Sequence, residues 1–307
     1  MKLIYISHWR FPSEKTMSPL IMRTCSEFAK QGMEVELWCA DRNNPSYQGV
    51  DSFVFHTIEK NFSLRKLFTI DILRWLPHRI AFPLMVLTMN VSIVFRFIRQ
   101  PRNSIYYAHD TRDIFLLSFF TKNYFVEIHD FYESSFRFVN KRVLIQAAGL
   151  IVTNEYKRTH IGETYGIPME KMLHQPNAVD AGQFSIPMAQ KEARASLKLP
   201  TDKKIVLYAG HLFDWKGVDT LLETSALLPE NFLVYFVGGT DEDIENFRKK
   251  QTKISPTHAI IVGRRSHVDM PIWMRAADIL VLPNTGKIDA SKYETSPVKL
   301  FEYMASG

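Results

Sequence analysis

Two open, doubly wound parallel α/β sheets in succession are the fold class that this sequence predicts. Three observations predict it. A strand–helix–strand unit opens the chain, periodicity breaks near residues 177–187, and a fresh series of short apolar strands alternates with helices beyond the break. At 307 residues there is room for two domains of ordinary size, expected at 1–180 and 181–307.

The elements follow from local signals. Lys2–Ile6 is a short apolar strand. A helix then runs from about Ser18-Pro19 to Gln31, where Gly32 stops it, and Glu34–Ala40 is the next strand. Parallel pairing with a right-handed crossover follows from that order. Further strands are expected at Ser104–Ala108, Tyr124–Ile128 and Gly149–Thr153. Pro176, Gly182 and Pro187 mark the break. Beyond it, a helix at Gln190–Leu197 leads into strands at Lys204–Ala209, Phe232–Val237, Ala259–Val262 and Ile279–Leu282. Helices fall between them at about Val218–Leu228, Glu242–Thr252 and Asp269–Ala276.

Composition is that of a soluble globular chain, with 46% hydrophobic and 23% charged residues. Cys25 and Cys39 have no metal-ligand spacing and fit a reducing compartment. Residues 1–7 are too short an apolar run for a signal peptide. The net charge of +6 is uneven: residues 60–102 hold eight basic residues and one acid, Asp71, leaving about −1 for the rest. The same segment contains an uncharged, mainly apolar run of sixteen residues, Ile80–Phe95. A spanning helix needs about 20 residues, so the run is expected to lie along a surface. It is either a buried helix with a solvated basic flank or a contact for an anionic membrane.

The stretch Glu294-Thr-Ser-Pro-Val-Lys-Leu-Phe-Glu302 carries the most chemistry. Ser296-Pro297 starts a helix, because proline at the first helical position loses only an amide without an intrahelical partner. The free amides of that turn, here those of Val298 and Lys299, attract an anion. Glu294 lies just ahead of this positive end and Glu302 lies inside the helix, so two carboxylates flank it. The plain alternative is an amphipathic helix whose Lys299 and Glu302 form a surface pair. Upstream, a strand ends at Gly210-His211, and Lys216-Gly217 precedes the next helix, placing an ammonium where a phosphate could sit.

This Glu-x7-Glu pattern, with the upstream Gly…Lys-Gly turn, resembles the signature of retaining glycosyltransferases of the GT-B fold, in particular the GT4 family. The resemblance implies two Rossmann-like domains facing a cleft, with nucleotide-diphosphate sugar bound by the second and acceptor by the first. It implies that Glu294 meets hydroxyls of the donor sugar, that Glu302 meets the ribose, and that Gly210, His211 and Lys216 form the phosphate loop. Gly239 and Gly263 match family positions near the nucleotide, and His129 matches a family histidine that reaches the donor sugar. His129 and Glu294 are thus the expected catalytic residues. Three departures stand out. His211 replaces the usual arginine, Pro297 replaces a frequent glycine, and the first turn, His8–Ser18, has no glycine. That last absence also disfavours a dinucleotide dehydrogenase. In the family, further elements follow the helix that ends at Gly307. Roughly two strand–helix units, about 60 residues, look absent, so the second domain is expected to be incomplete.

Metal chemistry has little support. Asp241-Glu-Asp243 opens a helix, where acids are favoured by the helix field. His109-Asp110 is a strand-end pair that could touch acceptor, and Arg248-Lys-Lys250 is a solvated face rather than a nucleic-acid site. The expected function is metal-independent, retaining sugar transfer without a cofactor. The donor would be a UDP- or GDP-sugar and the acceptor a glycan or lipid-linked molecule. The expected location is cytoplasmic, peripheral at the inner face of the membrane. A non-catalytic sugar-nucleotide-binding protein and a sugar-nucleotide epimerase are the alternatives.

Overall fold

The computed structural model describes residues 1–13, 15, 17–129, 137–254, 258–294 and 296–307, without the side chains of Ala290 and Glu294. Its contacts divide the chain into two compact units, Met1–Gln175 and Pro176–Gly307.

The first unit contains β1 (Lys2–Ser7), α1 (Met17–Lys30), β2 (Glu34–Ala40), α2 (Ser52–His56), β3 (Ser63–Leu67) and α3 (His78–Phe97). It continues with β4 (Ile105–Ala108), β5 (Tyr124–Ile128), α4 (Arg137–Gln146), β6 (Gly149–Val152), α5 (Glu155–Tyr165) and β7 (Met172–His174). All strand pairs are parallel, in the order β3-β2-β1-β4-β5-β6-β7. Strand order reverses between β1 and β4, and the crevice at their carboxyl ends is where such sheets hold ligands. Alternate residues feed opposite cores. Ile4 and Ile6 pack with Tyr106, Val126 and Ile93 on one face, whereas Leu3 and Tyr5 pack with Ile21, Met22 and Leu37 on the other. Both faces are covered, which is why the strands read as near-continuous apolar runs.

Helix α3 differs from expectation. It spans 20 residues because His78, Arg79, Arg96 and Phe97 extend the uncharged run, and by length and composition it could cross a membrane. Within the first unit it is buried along one face only, and the other face is apolar as well. Ala81, Met85, Met89 and Ile93, four residues apart, are fully buried, while Ile80, Leu87, Val91 and Phe95 are exposed.

The second unit contains α6 (Ala181–Phe184), α7 (Gln190–Ser196), β8 (Lys204–Ala209), α8 (Val218–Ser225) and β9 (Phe232–Val237). Then come α9 (Asp241–Gln251), β10 (Ala259–Gly263), α10 (Met270–Ala276), β11 (Ile279–Leu280) and α11 (Val298–Ser306). Its sheet is parallel in the order β10-β9-β8-β11, with the reversal between β8 and β11. Val206 and Tyr208 enter one core, and Ile205, Leu207 and Ala209 the other. Asp241 and Asp243 do open a helix: Thr240 and Asp243 form a reciprocal capping box at the start of α9. Helix α11 starts one residue later than expected. Pro297 is its N-cap residue in extended backbone, and Val298 is the first helical residue.

Candidate functional site

In the second unit the chemistry converges at the β8/β11 reversal. Tyr303 of α11 accepts a hydrogen bond from the Ala209 amide through its hydroxyl oxygen (3.1 Å), which fixes the start of α11 beside the end of β8. The approach to α11 is held as well. Asn177 donates its amide to Ser296 Oγ (3.0 Å) and its side chain to the Ser296 carbonyl (2.7 Å). Pro297 supplies no capping side chain, and Leu300 N bonds the Pro297 carbonyl, so the Val298 and Lys299 amides lack partners within α11.

Two ammonium groups meet at this point. Lys299 extends over the Tyr208 ring (4.7 Å to its centre) and donates to the Tyr208 hydroxyl at 3.3 Å. It lies against the backbone of Gly210, where a methyl group would strike the ammonium; Gly210 has φ +136°. The Lys216 ammonium sits 3.7 Å above the centre of the Trp215 ring. Burial pushes the Lys299 pKa down to about 8, and the nearby charge of Lys216 pushes the same way, against the weaker pull of Glu302. Burial lowers Lys216 too. Among the described residues neither lysine forms an ion pair. Two partly buried, mutually repelling cations beside open helix amides form an arrangement that an anion would relieve.

A pH dependence follows. The folded-state pKa of Lys299 is below its unfolded value, so the unfolded chain binds more protons between about 8 and 10.5. The destabilising contribution is therefore present below about 8 and fades as pH rises toward 10.5. Anion affinity runs the other way. Pyrophosphate binding, measured calorimetrically from neutral pH to about 9, should weaken as Lys299 discharges near pH 8. An affinity that stays flat over that range would remove Lys299 from the site.

The remaining expected donor residues distribute around this pair. Glu302 is one turn along α11 and mostly buried, with its carboxylate 3.9 Å from His267 Nε2. The expected alternative, a Lys299–Glu302 surface pair, is not what Lys299 does, since it reaches back to Tyr208. His211 stacks on Phe213 (4.9 Å, 2°) with Nδ1 3.8 Å from Asp243, and its carbonyl accepts from the Tyr208 hydroxyl at 2.6 Å. Gly239 and Gly263 follow β9 and end β10, with Leu212 and Ile244 packed against them. The side chain of Glu294 lies outside the described residues. A cavity of about 450 Å³ lies on the α9 side of the β8–α8 turn, lined by Phe213, Trp215, Asn246 and Lys250. Its lysine is neutralised by Asp214 (2.6 Å) and Asp219 (2.8 Å), whereas Lys216 and Lys299 have no ion-pair partner among the described residues.

In the first unit, β1, β4 and β5 are each followed directly by a histidine: His8, His109 and His129. His129 Nε2 is 3.0 Å from Glu127, whose other oxygen accepts from the Tyr107 hydroxyl, and Lys157 donates to the His129 carbonyl. Burial favours a neutral Glu127, but the bonds from His129 and Tyr107 outweigh it and hold its pKa below the ordinary value. Asp110 is paired with Arg112. Sequence reasoning missed two groups. Asn177 carries no motif of its own. His8 pairs with Asp113 across 105 residues of sequence, and only the strand-end rule could have pointed to it.

Residues 189–307 match the sequence family described as Glycosyl transferases group 1. A D-inositol 3-phosphate glycosyltransferase of Xylanimonas cellulosilytica is 25% identical over 156 residues, covering 47% of this chain and 37% of that protein. The chain thus aligns with little more than a third of that relative's length. Among solved structures, Anabaena HepE in complex with UDP superposes with a TM-score of 0.73 at 15% identity, covering 100% of this chain and 79% of that one. Sucrose-phosphate synthase from Thermosynechococcus elongatus gives 0.74 at 19% identity over the same shares. The α/β fold with parallel sheets is the fold of these structures.

Proposed function

We propose that this protein transfers a sugar from a nucleoside-diphosphate sugar to a hydroxyl of a glycan or lipid-linked acceptor, retaining anomeric configuration and using no metal. The observation that carries this reading is the convergence of Lys216, Lys299 and the open first turn of α11 at the β8/β11 reversal. The diphosphate docks there. Glu302 takes the ribose and Glu294 the hydroxyls of the donor sugar. The leaving diphosphate gains negative charge as the glycosidic bond breaks, and fixed ammonium groups favour that state over the ground state. They bring the charge neutralisation that a divalent cation would otherwise supply, which supports a metal-independent course. Anabaena HepE was crystallised with UDP, so UDP-sugars are the first donors to test.

Incubation with UDP-glucose and GDP-mannose, following nucleotide release and the fate of the sugar, tests the proposal. Release coupled to a new glycoside supports it. An epimerised sugar nucleotide, or binding without release, would instead favour the epimerase or the non-catalytic alternative.

The membrane contact belongs to the same proposal, with the protein at the cytoplasmic face. Helix α3 exposes Ile80, Leu87, Val91 and Phe95 next to exposed Trp75 and Ile98, within the basic segment 60–102. Vesicles containing anionic phosphatidylserine should bind the protein, with affinity falling steeply as salt rises. Equal binding to neutral vesicles, or none to either, would contradict this contact.

A further inference from the structure

At the β1/β4 reversal, two stacked histidines each have one ring nitrogen committed and one left over (ring centres 5.9 Å apart, 29° between planes). His8 places Nδ1 2.7 Å from Asp113 Oδ1 and donates its backbone amide to Asp113 Oδ2 at 3.1 Å. Asp113 is fully buried, so the carboxylate fixes both the rotation and the tautomer of the ring. With Nδ1–H on the carboxylate, Nε2 of the neutral ring is a lone-pair acceptor, and no described residue bonds it. His109 is the mirror case. The Trp9 indole N–H donates to His109 Nε2 at 2.8 Å, so the neutral ring carries its proton on Nδ1. That N–H is buried and has no acceptor. A buried donor left unmade costs about 1–3 kcal/mol, which is a reason to expect an occupant.

A metal ion is a poor occupant. One ligand atom each from His8, His109 and Asp113 lies within 4.8 Å of the others. But Trp9 holds the only lone pair that His109 has, and an N–H cannot coordinate a cation. What matches an orphan donor beside an orphan acceptor is an atom that both accepts and donates, which is a hydroxyl oxygen. The walls suit a carbon-bound one. Phe82 of α3 meets the His8 ring edge-on at 5.3 Å, and the Trp9 ring stacks on it at 5.5 Å.

We propose that His8 and His109 form a hydroxyl-recognition site for a polyol or sugar acceptor, the oxygen accepting from His109 Nδ1–H and donating to His8 Nε2. Asp113 is the positioning residue that keeps Nε2 an acceptor. The acceptor role rests on the sugar-transfer reading; the binding chemistry does not. The charged and titratable groups around His8 are Asp113, Asp110, Arg112 and His109 from the β4 side, Arg42 donating to the His8 carbonyl, and His78 behind Phe82. Burial opposes protonation of His8, but Asp113 outweighs it and raises its pKa above the ordinary 6.5. Burial, followed by His8, drives His109 down to about 3, so it stays neutral. Protonated His8 would be a second donor, so hydroxyl binding should strengthen as pH rises through the His8 titration.

Histidine-labelled full-length protein, observed by long-range ¹H–¹⁵N spectra, tests this with glycerol, myo-inositol and D-glucose as probes. The expected result is Nδ1–H tautomers for both rings in the free protein, and saturable, concerted shifts of the two with at least one probe. His8→Asn keeps a donor for Asp113 but removes Nε2, and should weaken that probe about tenfold. Asp113→Asn should reverse the His8 tautomer, lower its pKa and abolish the response, which a merely structural role would not do. An Nε2–H tautomer at His109, no probe moving either ring, or an unchanged response in Asp113→Asn overturns the proposal. UDP titrated into the same samples reports separately: failure of UDP to bind would remove the nucleotide reading and leave the histidine result standing.

Discussion

Lys216→Ala and Lys299→Ala should each weaken UDP binding by about 10- to 100-fold, the loss expected when a charge-assisted hydrogen bond to phosphate disappears. Together they should remove most measurable affinity, although two groups on one anion will not add fully. Stability should move the opposite way. In the ligand-free protein Lys299 is a partly buried cation with its pKa pushed to about 8 and Lys216 close by. Removing it relieves that cost, so Lys299→Ala should melt at the same or a higher temperature than the parent while losing nucleotide. Strain kept at a binding position is a common trade against stability. Calorimetry with UDP and a thermal melt without it read both effects. Unchanged UDP affinity in both variants would end the assignment of this pair to phosphate.

Gly217→Ala should be among the most damaging single methyls in the second unit. Gly217 has φ +74°, and an added methyl would land on the backbone carbonyl of Pro283, which cannot rotate away. A non-glycine residue in this region costs about 1–3 kcal/mol and overpacking a similar amount, so a loss of about 2–5 kcal/mol is expected in denaturant melts. The damage reaches the site, because Lys216 precedes Gly217 and the Trp215 carbonyl accepts from the Thr285 amide (3.3 Å) and hydroxyl, holding the segment that leads to α11. Gly210→Ala makes a contrast. Its methyl meets the far end of a flexible lysine, not backbone. It should therefore cost less stability than Gly217→Ala yet displace Lys299 and weaken UDP about as much as Lys299→Ala. If Gly217→Ala melts like the parent, the close approach of these two loops is wrong.

What the sequence revealed, and what it hid, follows from how local each signal is. The central strands β1, β2, β4, β5, β8 and β9 were readable because burial on both faces makes them short apolar runs. The edge strands β3, Ser-Leu-Arg-Lys-Leu, and β7, Met-Leu-His, carry too little apolar pattern to stand out. The position of α11 was legible to one residue, since proline marks a helix start without saying whether it caps or begins it. The candidate site was legible as a motif, while the side-chain contacts around it were not. Lys299 was expected to contribute its amide, and its side chain in addition reaches Tyr208, 91 residues earlier, a contact that only tertiary structure creates. The stacking of His211 on Phe213 likewise carries no sequence signal. His8 and Asp113 share no motif, and nothing short of the β1/β4 pairing brings them together.

The central claim is that a diphosphate is what the second unit is built to hold, and comparing uridine, UMP and UDP by calorimetry tests it most directly. Affinity should climb with each phosphate, with UDP about 100-fold or more tighter than uridine, consistent with two charge-assisted contacts. Equal affinity for all three, or binding of none, would contradict it.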